Sequence, residues 1–357
     1  MTQAHPTVSL SSPRAHLPAP STPDSLSQQP TPITPPPALS FSGSADLYYR
    51  AGLNHIPKGL TSFTRTANQF QLGMASVKVE HKTSKVDMVA DLGFGPREQE
   101  YAYNDQGVAQ AIKQLYISYE LLSWLKLTGG TWMTHVGYEV TDASDNRNYS
   151  MSYLFTYGPF SHTGVKADLT FGKNSFMVGI SNPTDFRTIP AGGQTNKDLI
   201  AQYSFAPDDN WKFYLNYVGG RDILDNKVHQ YDFVLTSKIT NLFSWGANGT
   251  LNNSSLATQK YTLSRTWWGS ALYLNMDPAS WLSLNLRGEY FSDQDAVKLP
   301  LSANVWETTF SVNLKKDSFT FIPEFRWDHA SNSIFTQQNG QLARTDLSFL
   351  VAAIYSF

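Results

Sequence analysis

The sequence predicts an all-β fold: a closed, antiparallel, up-and-down transmembrane β-barrel of about sixteen strands, with one long loop folded into its pore. Three observations carry that reading. From residue 41 to the C-terminus, segments of about ten residues alternate apolar and polar side chains, the period that separates the two faces of a strand. In the clearest segments every charge falls on one face. The connections alternate between short turns and long loops, which is the connectivity of outer-membrane barrels.

Composition supports the first observation. A soluble chain of 357 residues would make two or three domains, yet nothing in the composition changes at a midpoint. Charged residues are 16%, below the roughly 25% of a soluble domain. Aromatic residues are 13%, while the mean hydropathy is only −0.32. Few charges, many aromatics and a mildly polar mean are expected where apolar and polar faces cancel along each strand. The formal net charge of −2, without a basic block, argues against nucleic acid as a partner. The absence of cysteine excludes disulfides, zinc–thiolate sites and cysteine nucleophiles. No run of about 18 apolar residues offers a membrane helix, so only a closed barrel could cross a bilayer with its backbone satisfied.

Residues 1–40 read as a disordered tail, rich in Pro, Ser and Thr and ending near Pro35-Pro36-Pro37. The tail has neither the charged nor the apolar region of a secretory signal. The expectation is that the export signal lies upstream or has been removed.

The barrel is expected over 41–357. In Trp281–Phe291, Leu282, Leu284, Leu286, Gly288 and Tyr290 share one face, and Ser283, Asn285, Arg287 and Glu289 share the other. In Phe319–Asp328, Phe319, Phe321, Phe325 and Trp327 oppose Glu324, Arg326 and Asp328. The last segment places Leu347, Phe349, Val351, Ala353, Tyr355 and Phe357 on one face. A cation at the lipid midplane costs about 2–4 kcal/mol, so the charge-free face is the lipid side. A soluble sandwich also alternates, but it does not explain aromatic residues recurring at the strand ends.

The pattern marks strands at 41–50, 69–80, 84–94, 113–121, 124–135, 162–171, 175–181, 197–205, 211–219, 228–239, 243–251, 266–276, 281–291, 304–315, 318–329 and 344–357. Short turns fall at Lys82-Thr83, Leu122-Ser123, Lys173-Asn174, Pro207 to Asn210, Thr240-Asn241, Asp277 to Ala279 and Lys316-Asp317. Long loops fall at 51–68, 95–112, 136–161, 182–196, 252–265, 292–303 and 330–343. An even strand number puts both termini on the periplasmic side and the long loops outside. Pro323 interrupts one strand on its apolar face and cannot donate to the ladder, so a bulge is expected there.

Loop 136–161 has a polar half, with Glu139, Asp142, Asp145 and Arg147, and an aromatic half, with Tyr149, Tyr153, Phe155, Tyr157 and Phe160. So apolar a loop suits the inside of a barrel. Glu139, Asp142, Asp145, Arg147, Tyr149 and Tyr153 are the candidate constriction, and the bland alternative is a loop packed on its external neighbours. Strand parity assigns Glu80, Asp87, Asp91, Glu120, Lys166, Asp168, Arg287, Glu289, Glu307, Glu324 and Arg326 to the lumen, where charges filter solutes. Both signs occur, so no strong ion preference follows; the structural alternative is that they pair and brace the wall.

The stretches Gly130–Glu139, GTWMTHVGYE, and Ser152–Ala167, SYLFTYGPFSHTGVKA, resemble the β-barrel porins of the OmpL-like type. The resemblance extends loosely from about Gly43 to Phe357, with GPFSHTGV its most specific part. It implies an outer-membrane channel without catalytic residues to carry over. The terminal Phe357, two residues after Tyr355, matches the end pattern read by the outer-membrane assembly machinery.

Catalytic patterns are absent. No HExxH or GxSxG occurs, and Gly93-Phe94-Gly95 lacks the third glycine of a dinucleotide loop. His135 and His162 flank the long loop without a serine motif. Asp142, Asp145, Asn146 and Asn148 lack the spacing of a calcium loop. The expected function is therefore passive diffusion of small hydrophilic solutes, without enzyme activity, cofactor or metal. Trp132 and Tyr138 near the mouth could stack sugars. The chain is expected in the bacterial outer membrane, in contact with lipid and open to homo-oligomerisation. The rivals are a plugged barrel serving as scaffold or adhesin, and a soluble β-rich carbohydrate-binding protein.

Overall fold

The computed structural model describes residues 38–257 and 262–357. Among them sixteen strands form the wall: β1 (Ala38–Gly52), β2 (Phe70–Lys82), β3 (Val86–Phe94), β4 (Ile112–Leu122), β5 (Leu125–Met133), β6 (Ser161–Phe171), β7 (Asn174–Ser181), β8 (Asp198–Phe205), β9 (Trp211–Arg221), β10 (Lys227–Lys238), β11 (Phe243–Ala257), β12 (Thr262–Ala279), β13 (Leu282–Asp293), β14 (Ala303–Lys316), β15 (Phe319–Ala330) and β18 (Thr345–Ser356). The two-residue strands β16 (Phe335–Thr336) and β17 (Leu342–Ala343) pair in the last long loop. Each wall strand pairs antiparallel with its neighbours, and β1 closes the ring against β18. At the seam Phe357 and Gly43 exchange two backbone hydrogen bonds, each 3.0 Å. Among the described residues, closure leaves the wall without an edge strand to recruit another chain.

The alternation read in the sequence is the inside–outside pattern of the wall. On β15, Phe321 and Phe325 are exposed outward while Ile322, Glu324 and Arg326 are buried inward. The same parity runs round the ring and leaves large apolar side chains such as Leu47, Ile117, Val165, Leu272 and Phe310 exposed on the outside. A continuous apolar belt of this kind has no place in water and matches the hydrocarbon of a bilayer. No helix among the described residues is long and apolar enough to cross a membrane; the strands do the crossing. Aromatic pairs ring the short-turn end, where Trp124 stacks on Phe171, Phe176 meets Tyr203 and Trp211 meets Trp245 edge-on.

Three expectations change. Pro323 causes no bulge: the pairs Ser311↔Glu324 and Leu314↔Phe321 keep one register, and Pro323 pairs Val351 on the other side. The missing N–H removes ladder contacts toward β14 only, and the pairs on both sides of the gap hold the strands in step. The expected long loop 252–265 is mostly strand, because β11 and β12 stay paired as far as Ala257↔Thr262. Residues 38–40, placed in the tail, belong to β1; the rest of the expected tail lies outside the described residues.

Candidate functional site

The 134–160 connection between β5 and β6 turns inward and crosses the barrel. Its anchors go round the lumen almost strand by strand. Val136 fits among Trp132, Met177, Ile200 and Val218, from β5, β7, β8 and β9. The Gly137 amide donates to Asp232 on β10 at 3.1 Å. Tyr138 stacks on Tyr273 of β12 with ring centroids 4.0 Å apart. Glu139 accepts from Arg287 on β13 at 2.5 Å and from the Ser152 amide at 2.9 Å, which folds the loop back on itself. Arg147 grips Asp277 with two nitrogens, at 2.6 and 3.1 Å.

Wall carboxylates hold the deepest part by its backbone. Glu324 on β15 accepts from the amides of Tyr149 at 2.8 Å and Ser150 at 3.1 Å. Glu289 on β13 accepts from Tyr153 and Leu154, each at 2.7 Å, at the start of the short helix α2 (Tyr153–Tyr157). Those first amides of a helix have no partner within it, and Ser152 caps the same end by accepting from Phe155 at 3.0 Å. The Tyr149 hydroxyl reaches across to Asp46 on β1 at 2.5 Å. Charge-assisted bonds of this type are about twice as strong as neutral ones, and here they fix a loop that has little regular structure of its own.

The predicted residues thus divide. Asp142 pairs with Lys113 at 2.6 Å, and Lys113 with Asp91 at 3.1 Å. Arg287 holds Glu307 at 3.0 Å as well as Glu139. Arg326 grips Asp328 and donates to the Met151 carbonyl at 2.6 Å. Tyr153 stacks on Phe291. Asp145 closes a single 3-10 turn, its amide bonded to the Asp142 carbonyl. Arg287, Glu289, Glu307 and Glu324 are each no more than 2% exposed, so the loop covers this wall instead of leaving it to water. Asp87, Glu120, Lys166 and Asp168 lie apart, toward the short-turn end, and are at least partly exposed, with Lys166 and Asp168 3.4 Å apart. Trp132 is buried and Tyr138 partly buried under the loop, so neither offers a free ring at the mouth. His135 and His162 come together with ring centroids 5.2 Å apart, bonded to the Tyr217 carbonyl and the Thr134 hydroxyl. Asn146 bonds back to Val140, and Asn148 to Ser311 on β14, so the polar loop residues do not converge on one point.

Sequence reasoning missed a second inward element. The helix α1 (Pro96–Tyr101), in the connection after β3, is buried at Arg97, Glu98 and Tyr101. The Arg97 guanidinium lies between the rings of Phe63 and Tyr149, at 4.8 and 4.9 Å, and donates to the Thr141 carbonyl at 3.1 Å. The available signal was the helix-start proline, Pro96. Neither carboxylate oxygen of Glu98 has a hydrogen-bond partner among the described residues, and burial pushes this carboxyl up to about 8. A raised carboxyl keeps its proton in the folded chain while the unfolded chain loses it, so stability falls as pH rises from about 4.5 to about 8. Glu98→Gln is expected to flatten that slope and to gain a few kcal/mol over the unaltered chain above pH 8, read from urea midpoints across the range. Parallel pH profiles for the two proteins would refute it. Asp185, in the connection after β7, is pushed up to about 6 by burial, against the Phe160 and Ser161 amides that bond it.

The family model described as “Putative beta-barrel porin-2, OmpL-like” matches residues 38–357, the whole of the barrel. The chain belongs to this family. It is an outer-membrane porin channel of sixteen strands. No curated protein matches it. Solved porins share the fold at low identity. OprB of Pseudomonas putida superposes with a TM-score of 0.61 at 10% identity, covering 89% of this chain and 94% of that one. The anion-selective porin of Comamonas acidovorans gives 0.59 at 7%, covering 90% and 100%. OmpT of Vibrio cholerae, in its trimer form, gives 0.59 at 11%, covering 90% and 99%.

Proposed function

We propose that this porin passes small hydrophilic solutes by diffusion, through a barrel whose cross-section is set by residues 134–160. The observation that carries this is the seating of the loop's backbone amides on Glu289 and Glu324, which holds the loop across the lumen. A sixteen-stranded wall encloses room for an aqueous channel, so an element anchored across it limits what passes. On the short-turn side the vestibule carries Glu80, Asp87 and Glu120 beside Lys78 and Lys166. That mixture supports weak charge selection, unlike the Comamonas porin, whose selectivity is for anions. We extend the trimeric assembly of the Vibrio protein to this chain. We also assign the exposed Phe357 ring at the barrel seam to recognition by the assembly machinery.

The burial of the inner wall favours one other reading, a barrel closed by its loops and serving as a scaffold. Single-channel recording of the refolded chain in a planar bilayer separates the two. Small, stable conductance steps are expected. A heat-modifiable, correctly folded barrel that gives no steps would sink the diffusion reading and leave the scaffold.

A further inference from the structure

The outer face of the wall is indented where β12 to β15 approach the external loops, forming a groove of about 520 Å³. Trp268, Tyr290, Trp306 and His329 line it, with Asn304, Ser331 and Arg344. These side chains face away from the pore, since their neighbours Trp267, Phe291, Val305 and Asp328 are the buried, inward ones. Tyr290 pairs directly with Trp306, and Trp306 with His329, across successive strands. The ring centroids of Trp268 and Tyr290 are 5.3 Å apart, and those of Tyr290 and Trp306 4.6 Å. An aromatic shelf therefore crosses four strands at one height.

The shelf marks a chemical boundary. Below it the outward residues are Leu272, Leu286, Phe310 and Phe325, all exposed and apolar. Above it stand Asn304, Ser331 and Arg344. Arg344 donates through Nε to the Ala330 carbonyl at 3.1 Å and makes no ion pair among the described residues. Asn304 accepts from Ser292 and Gln294 through Oδ1, which leaves its amide nitrogen as a donor. Trp306 is 57% and Trp268 44% exposed, so the rings lie open.

We propose that this groove binds the phosphorylated saccharide head of an outer-leaflet glycolipid, a reading that rests on the outer-membrane placement of the barrel. Acyl chains lie along the apolar wall below. The C–H face of a sugar ring packs on the aromatic shelf, a surface suited to the boundary between hydrocarbon and water. A phosphate meets Arg344, whose planar fork fits phosphate oxygens, and Asn304 and His329 address hydroxyls. The groove is of the size that holds a discrete small ligand. A glycerophospholipid offers a phosphate to Arg344 but no sugar ring for the shelf.

The test is native mass spectrometry of the refolded full-length chain in detergent. The probes are a bisphosphorylated glucosamine-disaccharide lipid (lipid A), the same lipid dephosphorylated, and phosphatidylglycerol. One lipid A is expected to stay on each barrel. Its bound fraction is expected to fall about tenfold on dephosphorylation or in Arg344→Gln, and to fall also in Trp306→Leu. Heat-modifiable migration of each variant reports the folded barrel separately, so a failed site is distinguishable from a failed fold. Equal retention by Arg344→Gln and the unaltered chain would overturn the proposal. Equal retention of phosphatidylglycerol would do the same, since it shows only annular lipid. A lipid-free dimer abolished by Trp306→Leu would assign the face to a second copy instead.

Discussion

Deleting residues 142–158 is expected to raise single-channel conductance severalfold while the barrel still folds. The excised segment includes the stretch whose amides sit on Glu289 and Glu324, together with Asp142, Arg147 and Tyr149. Removing all of it at once opens the lumen to water. The wall charges then regain hydration and are not left dry without partners, so the usual cost of breaking a buried ion pair does not arise. The sixteen wall strands pair with one another and not with the loop. Heat-modifiable migration should therefore survive, and conductance should rise because the segment tied across the lumen is gone. Unchanged step size in a folded deletion variant would show that another element, such as the connection carrying α1, sets the cross-section. A variant that no longer folds would show that the loop is part of the barrel's core.

The difference between wall and loop also explains which parts of the molecule were legible in the sequence. Lipid penalises charge at every second residue of a spanning strand, so the pattern is written linearly and each strand can be read from its own ten residues. Where strands leave the membrane that penalty ends. Asn252, Asn253, Ser254 and Ser255 carry no alternation, and so the upper parts of β11 and β12 read as loop although they pair as strand. The loop's partners are not written locally at all. Glu289 lies 136 residues from Tyr153, and Arg287 lies 148 from Glu139. Parity could say that Arg287 and Glu289 point inward; it could not say that one would clasp a loop carboxylate and the other a pair of amides. Arg97 and Glu98 were harder still. Charged residues in a loop are ordinarily solvated, and only the fold shows that α1 turns them into the barrel.

Arg287→Leu is expected to destabilise the protein far more than the loop deletion does, by about 3–5 kcal/mol, because it strands charges in place. Arg287 is 0% exposed. Its guanidinium bonds Glu139 at 2.5 Å, Glu307 at 3.0 and 3.2 Å, the Ser150 carbonyl at 2.6 Å and Thr309 at 3.1 Å. Leucine supplies none of these donors and admits no water in their place, so two carboxylates remain buried without a cation. The urea midpoint for loss of the heat-modifiable form should fall accordingly. Arg287→Lys should lie between the two, because it restores the charge but not the fork that serves both acids. The loop should loosen at the same time, since Glu139 and Ser150 are its own contacts to that guanidinium; open-channel noise should grow in Arg287→Leu and much less in Arg287→Lys. An unchanged midpoint in Arg287→Leu would mean that water already reaches Glu139 and Glu307. In that case the loop would be a loose lining of the pore, not a tied crossbar.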